Sequence, residues 1–137
     1  MPAAIENLIP HRPPMQWIQA LTDCTATTAT ATACFGENDF AVADGAVLET
    51  ALVECVAQTV AAALGQRAQA SGGKSGPAAN GMLVAASNFK ILSRPLAGQT
   101  LQIEVRETKR LGPMLLISAT ISCDGQVAAA GELSLYA

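Results

Sequence analysis

The segment from Val47 to about Ala70 constrains the fold more than any other part of the chain, because its composition favours a helix and it is apolar on nearly every face. Its apolar residues recur at the three- and four-residue spacing of a helix, and others fill the remaining faces. A helix that is apolar nearly all round is buried nearly all round. The rest of the chain must therefore supply a sheet that curls around this helix.

Segments of alternating residues predict two strands before the helix and four after it. In the second strand, alanine alternates with threonine from Thr28 to Ala33, and such small side chains would let the helix approach closely. We expect the last four strands to form a meander with turns at 95–98, 111–113 and 124–125, the last an Asp-Gly hairpin signal. The predicted strands are Met15 to Leu21, Thr25 to Cys34, Met82 to Leu92, Thr100 to Thr108, Met114 to Ser122 and Gln126 to Tyr136.

The segments between these elements have the residues of turns and loops. Ala3 to Ile9 is predicted to form one or two helical turns, the acidic segment 36–45 a loop, and Ser71 to Pro77 a flexible connection. A chain of 137 residues is long enough to bury a core and too short for two ordinary domains. We therefore expect residues 1–137 to form a single α+β domain.

The composition excludes several classes of function. Charged residues make up only 14% of the chain and hydrophobic residues 50%, so we expect another subunit to cover part of the surface. The net charge of -3 argues against nucleic acid. Four scattered cysteines and a single histidine predict no metal site. Without a secretion signal or an apolar run long enough to span a membrane, we expect a cytoplasmic protein with reduced thiols.

Two polar residues interrupt the apolar helix. Glu54 and Gln58 are four residues apart and therefore share a helix face. Burying a carboxylate without partners costs several kcal/mol, roughly the desolvation of the ion, so Glu54 is a candidate functional residue. The alternative is a helix edge at which Glu54 is simply solvated or hydrogen-bonded.

Five short strings follow one another along the chain, and together they are more specific than any one of them. In order they are Ile9-Pro10-His11-Arg12-Pro13-Pro14-Met15, Glu54-Cys55-Val56-Ala57-Gln58, Phe89-Lys90, Pro95 with Gly98 and Leu101, and Asp124-Gly125-Gln126-Val127-Ala128. With this order of elements, nearly the whole chain resembles the hotdog-fold β-hydroxyacyl-acyl-carrier-protein dehydratases. The resemblance is greatest to their short, divergent members, such as those of aryl polyene clusters.

The resemblance implies a dimer with an acyl-thioester tunnel at the subunit interface. A histidine of one subunit would remove the C2 proton of a 3-hydroxyacyl thioester, and Glu54 of the other would protonate the departing hydroxyl. Gln58 would orient the backbone or the carboxyl group, and Phe40 and Phe89 would contact the substrate. The substrate would be an acyl carrier protein or acyl-CoA thioester of fatty-acid or polyketide biosynthesis, with no cofactor beyond its phosphopantetheine.

The sequence departs from this family at the catalytic histidine. The family's catalytic histidine lies in a Gly-His-Phe-Pro-Gly string before the helix. An ungapped match sets Asp39-Phe40-Ala41-Val42-Ala43 of this chain against that string, so Phe40 takes the place of the histidine. Phenylalanine cannot transfer a proton. His11 is the only histidine in the chain. Either His11 has been recruited to catalysis, or Asp39 or another acid of the loop is the base, or the site does not dehydrate. A structural role for His11 in the proline-rich segment is the alternative to the first of these.

Three functions fit these observations. The first is a dehydratase with an altered base, and the second is a non-catalytic partner, in a heterodimer, of an active dehydratase. The third is a hotdog thioesterase, in which a carboxylate such as Glu54 activates water or attacks the thioester. Basic residues could attract an acidic carrier protein, or they could simply be solvated at strand edges. These are Lys90, Arg94, Arg106, Lys109 and Arg110.

Overall fold

The computed structural model describes residues 4, 5, 8, 16–70 and 82–136. This part of the chain contains one long helix and eight strands, six of them in the main sheet. In chain order, the elements are β1 (Ile18–Cys24), β2 (Thr28–Cys34), β3 (Val42–Ala43), β4 (Ala46–Val47), α1 (Glu49–Ala70), β5 (Met82–Ile91), β6 (Thr100–Leu111), β7 (Met114–Cys123) and β8 (Gln126–Tyr136).

The main sheet is antiparallel, with the strand order β1-β2-β6-β7-β8-β5. Strands β6 to β8 form the expected meander, but β5 does not belong to it. β5 pairs with β8, because β2 and β7 already occupy the two sides of β6. The prediction of a four-strand meander was therefore wrong at its first strand, and β5 becomes an edge of the sheet.

The helix lies against the inner face of this sheet, chiefly on β1, β2 and β6. Strand β2 shows why it can approach closely. Its inward residues Ala29, Ala31 and Ala33 are at most 2% exposed, while its threonines are half-buried on the other face. The expected α+β arrangement of one buried helix and an antiparallel sheet is thus confirmed. The buried helix residues are Ala51, Leu52, Cys55, Val56, Gln58, Thr59, Val60, Ala62, Ala63 and Gly65.

Several element bounds differ from the prediction for identifiable reasons. β1 begins at Ile18, where pairing with Ala33 of β2 starts, and the backbone N–H of the preceding Trp17 donates to Gln58 of the helix. β2 begins at Thr28, since Thr25 and Thr28 close a hydrogen-bonded turn before it. The helix begins at Glu49, because Val47 belongs to β4.

The segment 36–45, predicted as a loop, contains part of a second hairpin. β3 and β4 pair across Asp44 and Gly45, whose φ angles of 55° and 77° are those of a tight two-residue turn. The same dipeptide at Asp124 and Gly125, with φ of 53° and 78°, joins β7 to β8, as expected. The small hairpin completes the path from β2 to the helix.

The described N-terminal residues pack over the helix. Leu8 is fully buried, and its N–H donates to the carbonyl oxygen of Ile5 at 2.9 Å, which closes one turn. The backbone of Leu8 passes directly over Gly65 of α1, where only a residue without Cβ fits. Predictions for the remaining residues of 3–15 and for Ser71 to Pro77 lie outside the described residues.

Candidate active site

Glu54 lies on α1 and is half-buried, one helical turn before Gln58. Its neighbour Cys55 is fully buried. Burial, and secondly the adjacent Glu54 carboxylate, raise the pKa of the Cys55 thiol to about 12. Cys55 is therefore a neutral core residue, and Glu54 is the ionisable group that this part of the helix presents at its margin.

Gln58 is completely buried and links the helix to the start of the sheet. Its Oε1 accepts hydrogen bonds from the backbone N–H of Trp17 at 2.9 Å and of Ile18 at 3.3 Å. A buried amide with such partners is held in one orientation. The helix face that carries Glu54 is consequently fixed relative to the chain that enters β1.

Trp17 is the centre of an aromatic stack, defined here as Phe35, Trp17 and Phe40. The Trp17 ring lies 5.9 Å from the rings of both phenylalanines, with interplanar angles of 55° and 59°. Phe35 is 1% exposed and Phe40 56% exposed, so the stack runs from the core to the surface. Offset aromatic pairs at this distance are mutually stabilising. The stack connects Gln58, through Trp17, to the loop before the helix.

In the loop before the helix, Asp39 is hydrogen-bonded within the loop, whereas Phe40 is exposed and contacts Trp17. Oδ2 of Asp39 accepts a hydrogen bond from the N–H of Gly36 at 2.7 Å, and the Asp39 N–H donates to the Gly36 carbonyl oxygen at 3.1 Å. The Asp39 carboxylate therefore stabilises its own loop. Phe40, which the ungapped sequence match set against the family histidine, projects outward from this loop onto Trp17.

Arg94 fixes the β3–β4 hairpin beside the start of the helix. Its guanidinium donates to the carbonyl oxygens of Val47, Ala43 and Ala46 at 2.9, 3.0 and 2.9 Å. Its Nε also lies 3.9 Å from a carboxylate oxygen of the exposed Glu49. Of the five basic residues considered for attracting a carrier protein, Arg94 is thus a structural residue. The other four lie on β5 and β6.

Phe89 lies at an irregularity in β5. The register of β5 against β8 shifts between Ser87 and Lys90, and Asn88 has a φ of 52°. Phe89 is half-buried and packs directly against Gly131, where a Cβ would lie 2.6 Å from the phenylalanine ring. Phe89 and Gly131 are therefore a packing pair, in which the glycine leaves room for the phenylalanine ring.

The structure thus brings Glu54 and Gln58 to one helix face and connects Gln58 to Phe40 through Trp17. His11 lies outside the described residues. Sequence reasoning missed Trp17 and Phe35, and it named Arg94 only as a basic residue that could attract a carrier protein or be solvated. Of the two missed residues, Trp17 alone carried a signal, as the first aromatic residue after the proline-rich string.

Neither a metal site nor a membrane span emerges from the described part of the chain. Within residues 16–70 and 82–136, no group of three His, Cys, Asp or Glu side chains is arranged to hold a metal ion. No helix in this part of the chain is both long enough and apolar enough to cross a bilayer.

Known proteins of similar sequence or fold are found for nearly the whole chain. Residues 3–137 match the family model "ApeP-like", described as ApeP dehydratase. No curated protein matches the chain. The chain is similar, with a TM-score of 0.87 and 19% identity, to the structure described as the dehydratase heterocomplex ApeI:P from Xenorhabdus doucetiae, over 98% of this chain and 90% of that one.

Two further solved structures share the fold at lower similarity. The Streptococcus mutans protein smu.793, bound to acetyl CoA, has a TM-score of 0.68 and 12% identity, over 92% of this chain and 91% of that one. A hypothetical thioesterase with coenzyme A from Streptococcus pneumoniae has a TM-score of 0.65 and 12% identity, over 85% and 83%. The expected hotdog fold, with a sheet that does not close into a barrel, is confirmed.

Proposed function

Since the chain belongs to the ApeP-like dehydratase family, we propose that it is one subunit of a heteromeric dehydratase that removes water from 3-hydroxyacyl thioesters. Glu54 is its catalytic acid, and the partner subunit supplies the base. The thioester is carried on the phosphopantetheine of an acyl carrier protein or of coenzyme A, in fatty-acid or polyketide-type biosynthesis.

The position of Glu54 is the observation that carries this proposal. Glu54 lies half-buried at the margin of an apolar helix, one turn from Gln58, whose amide is fixed by two backbone N–H groups. A general acid must be held at a defined place relative to the bond that breaks. Gln58 supports this placement by fixing the helix to β1, and it is a positioning residue.

The reaction requires two proton transfers. A base removes the C2 proton, the C–H electrons form the C2–C3 double bond, and the C3–O bond breaks as the Glu54 carboxyl gives its proton to the departing hydroxyl. The products are an enoyl thioester and water, with Glu54 left as a carboxylate and the base protonated. Return of the proton from base to Glu54 restores the site.

Phe40 is the reason for assigning the base to a partner. The ungapped sequence match sets Phe40 against the family histidine, and the carboxylate of the adjacent Asp39 accepts a hydrogen bond from Gly36 within its own loop. A similar chain belongs to a structure described as a dehydratase heterocomplex, which supports a heteromeric assembly here. In such an assembly, Phe40 contributes an apolar wall beside the acyl chain, whereas the packing of Phe89 against Gly131 leaves Phe89 without a role in this proposal.

The proposal is tested by turnover of a 3-hydroxyacyl carrier protein with this chain alone and with its ApeI-type partner. We expect slow turnover alone and fast turnover of the mixture, reduced about 10²- to 10⁴-fold by Glu54→Gln. Glu104→Gln, at an exposed position of β6, is the control and should leave the rate nearly unchanged. Robust turnover by this chain alone, lost with Glu54→Gln, would exclude the requirement for a partner base.

The variant His11→Ala tests whether the base is His11 of this chain or a residue of the partner subunit. If the partner supplies the base, the mixture retains its rate when His11 is replaced. A loss as large as that of Glu54→Gln would instead assign the base to His11.

A thioesterase is the second candidate, because two similar structures contain coenzyme A or acetyl CoA and one is described as a hypothetical thioesterase. In this reaction, the Glu54 carboxylate would activate water or attack the thioester carbon, and the C–S bond would break. Acyl thioesters incubated with the chain would then release free thiol. Formation of an enoyl thioester without thiol release would exclude this alternative.

A further inference from the structure

The β3–β4 hairpin is too short to hold its own position in the protein. Each of its strands has two residues, and the register pairs Val42 with Val47 and Ala43 with Ala46. An isolated two-stranded hairpin is marginally stable at best in water. The position of this hairpin must therefore be fixed by groups outside it.

The chain on either side of the hairpin leads to the proposed site. Phe40 lies two residues before β3, and α1 begins two residues after β4 and carries Glu54 in its second turn. The two sides are joined to each other, because the N–H of Leu48 donates to the carbonyl oxygen of Ala41 at 2.7 Å, and Ala41 is buried. A displacement of the hairpin would therefore move Phe40 and the start of the helix together.

The Arg94 side chain binds both strands of the hairpin. Its guanidinium donates to the carbonyl oxygens of Ala43 in β3 and of Ala46 and Val47 in β4. A guanidinium presents its donors in a rigid planar fork, so carbonyl oxygens that bind to it keep one arrangement relative to one another. Arg94 therefore fixes the hairpin as a unit.

The segment directly after Arg94 connects this unit to the rest of the structure. The N–H of Ala97 donates to the carbonyl oxygen of Gly45, in the hairpin turn, at 2.9 Å. The N–H of Gly98 donates to the carbonyl oxygen of Phe35 at 2.8 Å, and Phe35 is the buried end of the aromatic stack. The arginine thus extends from a segment that is itself bonded to the core.

Helix stability alone does not explain an arginine at this place. The N-terminal end of a helix carries a partial positive charge, so a cation beside it is electrostatically unfavourable. The Nε of Arg94 lies 3.9 Å from a carboxylate oxygen of Glu49, the first residue of α1, whose side chain is 61% exposed. Exposed ion pairs of this kind contribute little to stability. The hydrogen bonds to the hairpin are therefore the main contribution of Arg94.

We propose that Arg94 is a positioning residue of the dehydratase site, which acts through the β3–β4 hairpin on Phe40 and on the start of the helix that carries the catalytic acid Glu54. The inference rests on the function proposed above and adds a residue to it. Arg94 needs no contact with the substrate in this role, because its guanidinium binds backbone carbonyl oxygens. A displacement of a catalytic group by about 1 Å can lower the rate by about 10²-fold.

The first test compares Arg94 with a matched arginine at the other end of the same helix. Arg67, in the last turn of α1, also donates to backbone carbonyl oxygens, those of Thr25 at 2.7 Å and Thr28 at 3.3 Å. Turnover of a 3-hydroxyacyl carrier protein is measured with the variants Arg94→Lys and Arg67→Lys, each mixed with a saturating amount of the ApeI-type partner.

We expect Arg94→Lys to lower kcat about tenfold or more and to raise KM less than about threefold. A misplaced acid slows the chemical step, whereas one displaced apolar contact, that of Phe40, costs little substrate binding. Arg67→Lys should leave kcat within about twofold of the unaltered chain, because the turn that it holds lies at the far end of the helix from Glu54.

Trp17 supplies a second measurement that requires no turnover. It is the only tryptophan of the chain, and its ring lies 5.9 Å from that of Phe40. If Arg94 holds Phe40 in place, Arg94→Lys should increase the quenching of Trp17 fluorescence by acrylamide about twofold, because the phenylalanine ring no longer covers the indole. Arg67→Lys should leave the quenching unchanged.

Four results would overturn the inference. The first is a kcat of Arg94→Lys within about twofold of that of the unaltered chain, and the second is an equal loss of kcat in the two arginine variants. The third is a rise in KM without a fall in kcat, which would mean that Arg94 binds the substrate. The fourth is loss of cooperative thermal unfolding in Arg94→Lys, which would mean that Arg94 holds the whole fold rather than the site.

Failure of the proposed function gives a different pattern. If the mixture with the unaltered chain forms no enoyl thioester while Arg94→Lys still increases the quenching of Trp17, the function is wrong and Arg94 holds the loop without serving a dehydratase. If Glu54→Gln lowers turnover of the mixture as expected but Arg94→Lys changes neither turnover nor quenching, the function stands and the positioning role is wrong.

Discussion

The side-chain oxygen of Gln58 accepts the backbone N–H of Trp17 at 2.9 Å, across 41 residues of sequence. The same oxygen accepts the N–H of Ile18 at 3.3 Å. One buried side chain thus binds two consecutive backbone amides at the start of β1, and the helix and the sheet are joined at that point.

Replacing Gln58 by leucine should lower the free energy of unfolding by about 2–3 kcal/mol, because the backbone donors of Trp17 and Ile18 lose their acceptor in a buried setting. Urea unfolding followed by the fluorescence of Trp17, the only tryptophan, measures this. Gln102→Ala, at an exposed position of β6, is the control and should cost less than about 0.5 kcal/mol. Equal stabilities of the Gln58 variant and the control would show that the hydrogen bonds contribute little.

Gly65→Ala should destabilise the protein, although alanine in the middle of a helix is ordinarily favoured over glycine by about 1 kcal/mol. The added Cβ would lie 2.7 Å from the carbonyl oxygen of Leu8 and 3.3 Å from its Cα, so the backbone over the helix would have to move. We expect a loss of about 1–3 kcal/mol, as for other overpacked sites.

Thermal unfolding of the Gly65 variant provides the measurement. Ala68→Gly, at an exposed position of the same helix, serves as the control and should cost about 1 kcal/mol from helix propensity alone. A rise in melting temperature for Gly65→Ala would mean that the Leu8 backbone does not pass as closely as described.

Arg94→Lys should loosen the β3–β4 hairpin, since an ammonium group cannot reproduce the planar donor set that holds the carbonyl oxygens of Ala43, Ala46 and Val47. Hydrogen exchange is the measurement. The amides of Val47 and Ala97, which bond across this region, should exchange about tenfold faster. Arg106→Lys, at an exposed position of β6, is the control and should leave the exchange rates of the Val47 and Ala97 amides unchanged. Equal exchange rates in the two variants would contradict the role of Arg94.

The stability of the protein should fall at alkaline pH because of Cys55. Burial, together with Glu54, raises the pKa of its thiol from 9.0 to about 12. Between these pH values the unfolded chain loses the proton and the folded chain keeps it, so this contribution to stability is intact below about pH 9 and declines above it. The slope should approach about 1.4 kcal/mol per pH unit at most.

Urea unfolding measures this slope when it is repeated between about pH 8 and about pH 11, because this pH range spans the ionisation of an ordinary thiol. Cys55→Ala should flatten the curve, whatever its own cost in stability, and Cys34→Ala should keep it. A Cys55→Ala protein with the original slope would assign the alkaline loss to other groups.

Local sequence patterns were sufficient for the elements and for part of the site. The apolar helix, the alternation in β2 and the Asp124-Gly125 turn each depend on neighbouring residues, and all were found in the structure. The shared face of Glu54 and Gln58 follows from helix geometry in the same way. The β3–β4 turn carried the same Asp-Gly signal, but its strands are too short to show alternation.

Relationships between distant segments could not be predicted from these patterns. The position of β5 beside β8 depends on which strand edges remain after β2 and β7 flank β6. The hydrogen bonds from Trp17 to Gln58 and from Arg94 to the β3–β4 hairpin join residues about 40 to 50 positions apart, as long-range contacts do. Nothing in the neighbouring sequence of Trp17 or Arg94 specifies those partners.

The pairing of β5 with β8 also sets an order of events during synthesis on the ribosome. β5 leaves the ribosome before β6, β7 and β8, yet among the strands of residues 16–70 and 82–136 it pairs with the last of them. Until β8 is made, β5 must remain unpaired while the helix and β1, β2 and β6 already have their mutual contacts available. Of the strands in this sheet, β5 therefore waits longest along the nascent chain for its neighbour, and an unpaired strand edge is prone to aggregation.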